Sequence, residues 1–172
     1  MHGNDQPRET GLRIRTARPG EYDAVAALTV QVYVGDGYVG ADEDYVRELG
    51  DTARRAAAAE VLVAVHDGTV VGSLTVAGPG TPYAEIARPG ELEFRMLAVS
   101  KDARGLGVGT ALVRGVVDEA RAGGYEAVVL TTMGAMVDAH RLYERLGFVT
   151  VPERRWATED GLALFVMRLA LR

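Results

Sequence analysis

A short glycine-rich segment in the middle of the chain constrains the fold more than any other feature. Gly105, Gly107 and Gly109 lie within six residues. Before them, side chains alternate with a period of two over 92–99, which predicts a β-strand. After them, apolar residues recur every fourth position over 108–120, which predicts a helix. The alternation predicts two strand faces: Leu92, Phe94, Met96 and Ala98 on one, and Glu93, Arg95, Leu97 and Val99 on the other.

A glycine turn between a strand and a helix favours an anion site. The first N–H groups of a helix lack partners, and without a Cβ the backbone can approach a phosphate closely. Two common phosphate motifs are excluded. A Walker loop needs a lysine after its last glycine, and the only lysine is Lys101, ahead of the turn. The dinucleotide motif needs a third glycine where Thr110 or Leu112 stands. A plain turn between core elements remains the alternative.

Two motifs together resemble the GCN5-related N-acetyltransferase (GNAT) superfamily. Residues 104–109, R-G-L-G-V-G, resemble its acyl-CoA-binding motif, Q/R-x-x-G-x-G/A. Residues 139–148, A-H-R-L-Y-E-R-L-G-F, resemble its second signature, A-x-x-L-Y-E-x-L-G-F. Residues 97–99 look like the end of the family's fourth strand. The resemblance is sharp over 92–148, and the two motifs together are more specific than either alone.

The resemblance implies an α/β fold: a strongly twisted mixed sheet of about six to seven strands, flanked by about four helices, with splayed strands 4 and 5. The sequence pattern agrees, with the order β-α-α-β-β-β-α-β-α-β-β. It predicts one helix over 45–59, a hairpin turn at Asp67-Gly68, and helices over 108–122 and 137–145. We expect residues 1–10 to form a flexible tail and 11–172 a single GNAT acetyltransferase domain.

Composition excludes several classes of protein. The 172 residues are 48% hydrophobic, which argues against disorder, and the absence of cysteine excludes disulfides and zinc–thiolate sites. No apolar run approaches the roughly 18 residues of a membrane span, and no signal peptide is evident. A net charge of −5 disfavours nucleic acid and mildly favours cationic substrates. We expect a cytoplasmic monomer or homodimer that binds no metal, membrane or nucleic acid.

The resemblance implies acetyl-CoA as cosubstrate and a set of residues that bind it. The strand end would pair with pantetheine through its backbone, and the glycine turn would hold the pyrophosphate. The implied residues are Leu97, Ala98, Val99, Arg104, Gly105, Leu106, Gly107, Val108, Gly109, Thr110, Met136 and Ala139. Met136 departs from the family pattern, because many relatives carry an asparagine there whose amide contacts the cofactor.

Two residues are the candidates for proton transfer. By resemblance, Glu93 is the candidate general base, with Glu91 or a water chain as rivals. Arg95 on the same predicted face would lower the Glu93 pKa, whereas burial or Glu91 would raise it. The structural alternative is a Glu93–Arg95 ion pair. Tyr143 is the candidate acid for the CoA thiolate, and its alternative is a packed aromatic.

Weaker candidates are residues that would contact the acceptor amine. Segments 34–44 and 78–90 combine glycine or proline with aromatic and acidic residues, which suit a loop that binds a cationic amine. Tyr33, Tyr38, Tyr83 and Glu91 are the substrate-binding candidates, with Glu85 as a further one. The function implied is acetyl transfer to an unidentified primary amine by direct attack in a ternary complex. The alternative is a non-catalytic acyl-CoA-binding or regulatory module.

Overall fold

A computed structural model describes residues 11–40 and 44–171; the predicted tail over 1–10 lies outside them. Within these ranges a mixed sheet is flanked by helices. The elements are β1 Leu12–Thr16, α1 Tyr22–Gly35, α2 Asp44–Gly50, α3 Thr52–Ala58, β2 Glu60–His66, β3 Thr69–Ala77, β4 Glu91–Val99, α4 Val108–Ala122, β5 Ala127–Met133, α5 Val137–Arg145, β6 Val149–Thr150, β7 Trp156–Ala157 and β8 Ala163–Ala170.

The sheet has the order β1-β2-β3-β4-β5-β8-β6, with β7 paired to β8. Only the β4–β5 pair is parallel among the described strands, so the sheet is mixed, as predicted. The single helix predicted over 45–59 is wrong. Two helices form instead, because Asp51 interrupts the first and accepts a hydrogen bond from Arg54 N–H, which caps the second.

Strands β4 and β5 separate partway along their length. Their pairing covers Glu91–Ala127, Leu92–Val128 and Glu93–Val129 and then ends, although β4 continues to Val99. The backbone edge of β4 that faces β5 is therefore unpaired with β5 beyond Glu93. This confirms the predicted splay of the fourth and fifth strands.

A β-bulge lies in β4 next to this opening. Ser73 of β3 pairs with Ala98, but Thr75 pairs with Arg95, so β4 carries one residue more than β3 over this stretch. Met96 has a positive φ of 59°, which is unusual for a residue with a side chain. The bulge leaves Met96 and Leu97 without a Cα partner in the register with β3.

The bulge also reverses the side-chain alternation of β4. Leu92 and Phe94 lie in the core beneath α4, as the period predicts. Met96 and Ala98 instead lie in a second core formed with α1 and α2. The prediction that these four residues share one face is therefore wrong, because one extra residue shifts a period of two to the opposite face.

Helix α4 begins directly above the sheet. Its predicted span, Val108–Ala122, is confirmed, and its apolar stripe is buried. A Cβ added to Gly72 of β3 would lie 2.6 Å from Val108 Cγ1 and 3.0 Å from Leu112 Cδ1. The glycine therefore lets the first turn of α4 approach the sheet closely, beside the β4–β5 opening. No helix within residues 11–40 and 44–171 combines the length and apolar character needed to cross a lipid bilayer.

Candidate active site

The separation of β4 from β5 opens a cleft of about 1040 Å³. It is lined by β4, the glycine turn, the start of α4, α5, the end of α1, and parts of β5 and the β7–β8 region. The predicted site residues that line it are Tyr33, Tyr38, Glu85, Leu97, Val99, Arg104, Gly105, Gly107, Val108, Gly109, Thr110, Met136, Ala139 and Tyr143. Residues distant in sequence thus meet around one cleft.

Five predicted residues do not line the cleft. Leu106 is 52% exposed at the tip of the glycine turn, and Ala98 is buried in the second core. Tyr83 is buried, and its carbonyl accepts a hydrogen bond from Arg95 Nη1 at 3.0 Å. Glu91 and Glu93 are buried on β4. The last two are of most interest because both were candidates for the base.

The glycine turn forms one end of the cleft. Gly105 and Gly107 have φ of 93° and 73°, in the left-handed region that glycine adopts without strain. Gly107 is the N-cap of α4, and a Cβ added to it would meet no atom within 4 Å. The first N–H groups of α4 have no intrahelical partner. This end of the cleft therefore suits an anion with several oxygens, such as a pyrophosphate.

Two basic side chains lie beside this turn. Arg104 Nη2 donates to Asp36 Oδ2 at 3.1 Å, and Lys101 Nζ lies 3.9 Å from Asp36 Oδ1. Both basic side chains remain more than half exposed. These contacts connect the end of α1 to the turn and leave positive charge at this end of the cleft.

Tyr143 of α5 forms part of the wall between the two cores. Its ring packs against Phe94 at 5.8 Å and Phe148 at 5.9 Å between centroids. Burial raises the pKa of Tyr143 well above that of an exposed phenol. The hydroxyl therefore keeps its proton at neutral pH and is a potential donor. Tyr143 is thus a packed aromatic that also lines the cleft, and its role as an acid stays a prediction.

Glu93 is fully buried where β4 and β5 part. Its Oε1 accepts from the N–H groups of Glu85, Ile86 and Ala87 at 2.9, 2.9 and 3.0 Å. Its Oε2 has no hydrogen-bond partner in the described part of the chain. Burial raises the pKa of Glu93, and the backbone hydrogen bonds and nearby Arg95 offset only part of that rise.

The alternative of a Glu93–Arg95 ion pair is wrong. Arg95 Nε lies 2.6 Å from Glu85 Oε1, and its Nη1 lies 3.7 Å from Glu48 Oε1. The reason is that three backbone N–H groups already satisfy Glu93 Oε1, while Arg95, next to the bulge, lines the cleft.

Glu91 is held by two arginines. Its Oε2 accepts from Arg154 Nη1 at 2.9 Å and Arg168 Nε at 3.0 Å, and its Oε1 accepts from Arg88 N–H at 3.0 Å. Burial alone would raise the pKa of Glu91, but these hydrogen bonds outweigh burial and lower it. A paired carboxylate with a lowered pKa is a weak base. The geometry therefore disfavours Glu91 relative to Glu93.

Some cleft residues were missed by sequence reasoning. Arg95 was assigned only an effect on Glu93, because its position in the cleft depends on the bulge. Tyr45 packs edge-on against Tyr33, with ring centroids 6.4 Å apart, and lines the cleft with it. Trp156 also lines the cleft, although the sequence pattern did not mark it as a site residue. The sequence feature that could have drawn attention to Trp156 is that it is the only tryptophan in the chain.

Comparison with known proteins agrees with this geometry. Residues 27–148 match the family profile described as the acetyltransferase (GNAT) family. The N-acetylaspartate synthetase of Danio rerio is 41% identical over 71 residues, 41% of this chain and 25% of that protein. The mycothiol acetyltransferase of Sanguibacter keddieii is 34% identical over 147 residues, 83% of this chain and 45% of that protein. The chain thus spans less than half the length of either relative.

A solved structure shows the same fold. The GNAT family acetyltransferase of Brucella melitensis, determined in complex with acetyl-CoA, superimposes with a TM-score of 0.64. It is 23% identical, and the match covers 95% of this chain and 90% of that one. The family profile covers more than half of the chain, and the splayed strands and glycine turn lie within the matched region. The chain therefore belongs to the GNAT acetyltransferase family.

Proposed function

We propose that this chain is an acetyl-CoA-dependent N-acetyltransferase that acetylates a primary amine by direct attack in a ternary complex. The observation that carries the proposal is the cleft at the β4–β5 opening. It has a glycine turn suited to an anion at one end and a protonated phenol, Tyr143, in its wall. The chain has no cysteine, the side chain best suited to accept an acyl group covalently, which favours direct transfer.

The residues of the cleft fit acetyl-CoA, which supplies the activated acetyl group when bound. The glycine turn and the start of α4 would hold the pyrophosphate through backbone N–H groups, assisted by Arg104. The unpaired edge of β4 over 97–99 would hydrogen-bond the pantetheine chain. Met136 and Ala139 line the same cleft and would contact it by packing.

Glu93 accepts the proton of the amine in this proposal. Its buried Oε2 has no partner in the described residues, burial raises its pKa, and it lies where β4 and β5 part. A carboxylate with a raised pKa is a better base at neutral pH. Because Glu93 does not itself line the cleft, a bridging water carries the proton to Oε2. This route combines two alternatives that the sequence left open, which are Glu93 as the base and proton transfer through a water chain.

A backbone N–H group and the Tyr143 hydroxyl take the two remaining roles in the reaction. A backbone N–H of the bulged segment, at Met96 or Leu97, would hold the carbonyl oxygen of the acetyl group as negative charge develops there. Tyr143 would then give its proton to the departing sulfur. The amine enters from the face that carries Tyr33, Tyr38 and Tyr45.

Two variants test the cofactor assignment. Gly107→Glu introduces a negative charge and a bulky side chain where the pyrophosphate would lie. Gly124→Glu is the matched control, because both glycines have a φ of 73° and open space around an added Cβ, but Gly124 follows the other end of α4. We expect calorimetry to show loss of acetyl-CoA binding in Gly107→Glu only. Equal affinity in the two variants would exclude the glycine turn as the pyrophosphate site.

Thiol release tests the activity itself. Wild-type protein is incubated with acetyl-CoA and a panel of primary amines, and free CoA is measured over time. Amine-dependent release is expected. Tight acetyl-CoA binding without release by any amine would instead support a non-catalytic acyl-CoA-binding module.

A further inference from the structure

The loop formed by residues 85–88 is held by an unusual set of contacts, and we refer to it as the clamped loop. Its four consecutive backbone N–H groups all donate to carboxylates of β4. Three of them bind Glu93 Oε1, and the fourth binds Glu91 Oε1. A loop whose N–H groups are all bound to buried side chains has little freedom to move.

Arg154 completes the clamp from a distant part of the chain. Its Nη1 donates to Glu91 Oε2 at 2.9 Å, and its Nη2 donates to the carbonyl of Ile86 at 2.6 Å. The side chain of Arg154 is only 7% exposed. Arg168 also binds Glu91, through Nε at 3.0 Å, but within residues 11–40 and 44–171 its side chain makes no hydrogen bond to the clamped loop, so it gives a natural comparison.

The clamped loop fixes the position of Glu85 in the acceptor end of the cleft. Glu85 lines the cleft with its side chain 35% exposed, and its Oε1 binds Arg95 Nε. Glu48 lies on the other side of the same guanidinium and is 40% exposed. Arg95 therefore lies between the carboxylates of Glu85 and Glu48. Arg55 adds a second positive charge near Glu48, to whose backbone carbonyl it donates at 2.6 Å. Of the two carboxylates, only that of Glu85 lines the cleft, beside Tyr45.

We propose that Glu85 is a specificity-determining residue that selects acceptor amines carrying a second positive charge, and that Arg154 is a positioning residue that holds Glu85. This inference rests on the proposed acetyltransferase function. A second ammonium group would be attracted by the partly exposed Glu85 carboxylate in the cleft wall and by the faces of the tyrosines. A carboxylate on the acceptor would be repelled by the same wall.

Three primary amines of similar length test whether the acceptor site prefers a second positive charge. They are 1,4-diaminobutane, n-pentylamine, in which a methyl replaces the second ammonium, and 5-aminopentanoate, which carries a carboxylate there. We expect wild-type kcat/KM to be roughly tenfold or more higher for the diamine than for n-pentylamine, and lowest for 5-aminopentanoate. Glu85→Gln should reduce the ratio of diamine to monoamine to near one. An equal or reversed preference in the wild type would overturn the inference while the acetyltransferase function stands.

Arg154→Gln and Arg168→Gln test the positioning role. Each removes one partner of Glu91, but only Arg154 also binds the clamped loop. We expect Arg154→Gln to raise KM for the diamine several-fold while KM for acetyl-CoA stays unchanged, and Arg168→Gln to keep the wild-type selectivity. Arg154→Lys, with a thermal melt of each variant, guards against misfolding and should partly restore selectivity. Identical selectivity in the two glutamine variants would show that Arg154 is only structural.

A binding measurement separates failure of this inference from failure of the proposed function. Calorimetry of the diamine into wild-type protein saturated with CoA requires no turnover. Diamine binding that weakens in Glu85→Gln supports the recognition role even if no amine is acetylated. Absence of diamine binding together with absence of turnover would overturn both proposals.

Discussion

Tyr143→Phe is the most informative single change, because it removes one hydroxyl and leaves the ring. The ring contacts with Phe94 and Phe148, at 5.8 and 5.9 Å between centroids, do not involve the oxygen. No cavity of methyl size forms, and within the described part of the chain the Tyr143 hydroxyl has no hydrogen-bond partner that the change would leave unpaired. We therefore expect the free energy of unfolding to change by less than about 1 kcal/mol.

The expected effect on catalysis is much larger. Loss of a general acid lowers the rate by roughly 10²- to 10⁴-fold, which corresponds to about 2.7 to 5.4 kcal/mol at about 1.36 kcal/mol per factor of ten. We expect kcat to fall by this amount in the thiol-release assay. The affinity for acetyl-CoA should stay within a few-fold, because the pyrophosphate and pantetheine contacts are made elsewhere. A thioester with a more acidic thiol should recover part of the loss.

Tyr22→Phe provides the control, since Tyr22 packs in a separate cluster with Val25 and Val61, and does not line the cleft. It should leave kcat unchanged. The acid role would be refuted if Tyr143→Phe weakened acetyl-CoA binding while turnover remained at the wild-type level. It would also be refuted if the loss were the same for thioesters of strongly and weakly acidic thiols.

Two further predictions follow from the same cleft. Glu93→Gln should lower kcat/KM by roughly 10²-fold or more. Burial raises the Glu93 pKa, so the wild-type enzyme loses its base as the pH falls through that raised value. The acidic limb of the pH–rate profile should therefore disappear in the variant. An unchanged profile would make Glu93 purely a holder of the clamped loop. Gly72→Val would force a Cβ to within 2.6 Å of Val108, so we expect a loss of about 1–3 kcal/mol of stability in denaturant melts and a raised KM for acetyl-CoA. If Gly72→Val kept the wild-type stability and the wild-type KM for acetyl-CoA, α4 would be shown to adjust without cost.

Local pattern alone determined much of this protein. The helix over 108–122 and the helix over 137–145 have the predicted bounds, because their apolar spacing and glycine boundaries lie within each segment. The turn at Asp67-Gly68 joins β2 to β3 as predicted, with φ of 49° and 77°. The glycine turn could likewise be predicted as an anion site, because that prediction depends only on six consecutive residues.

Tertiary structure decided which side of β4 each residue faces. A strict period of two would keep Phe94 and Met96 on one face, but the extra residue accommodated opposite Ser73 and Thr75 moves Met96 to the second core. Nothing in the local sequence marks this bulge. It depends on the register with β3, which is set by contacts along the whole strand pair.

Tertiary structure also decided the partners of the charged residues. Sequence reasoning placed Glu91, Glu93 and Arg95 together because they alternate along one strand. In the fold, Glu93 binds the backbone of the clamped loop, Glu91 binds Arg154 and Arg168, and Arg95 binds Glu85. Arg154 is 63 residues from Glu91 in the chain. A buried carboxylate takes whichever donors the packed chain brings within about 3 Å, and spacing along one strand carries no information about donors from other segments.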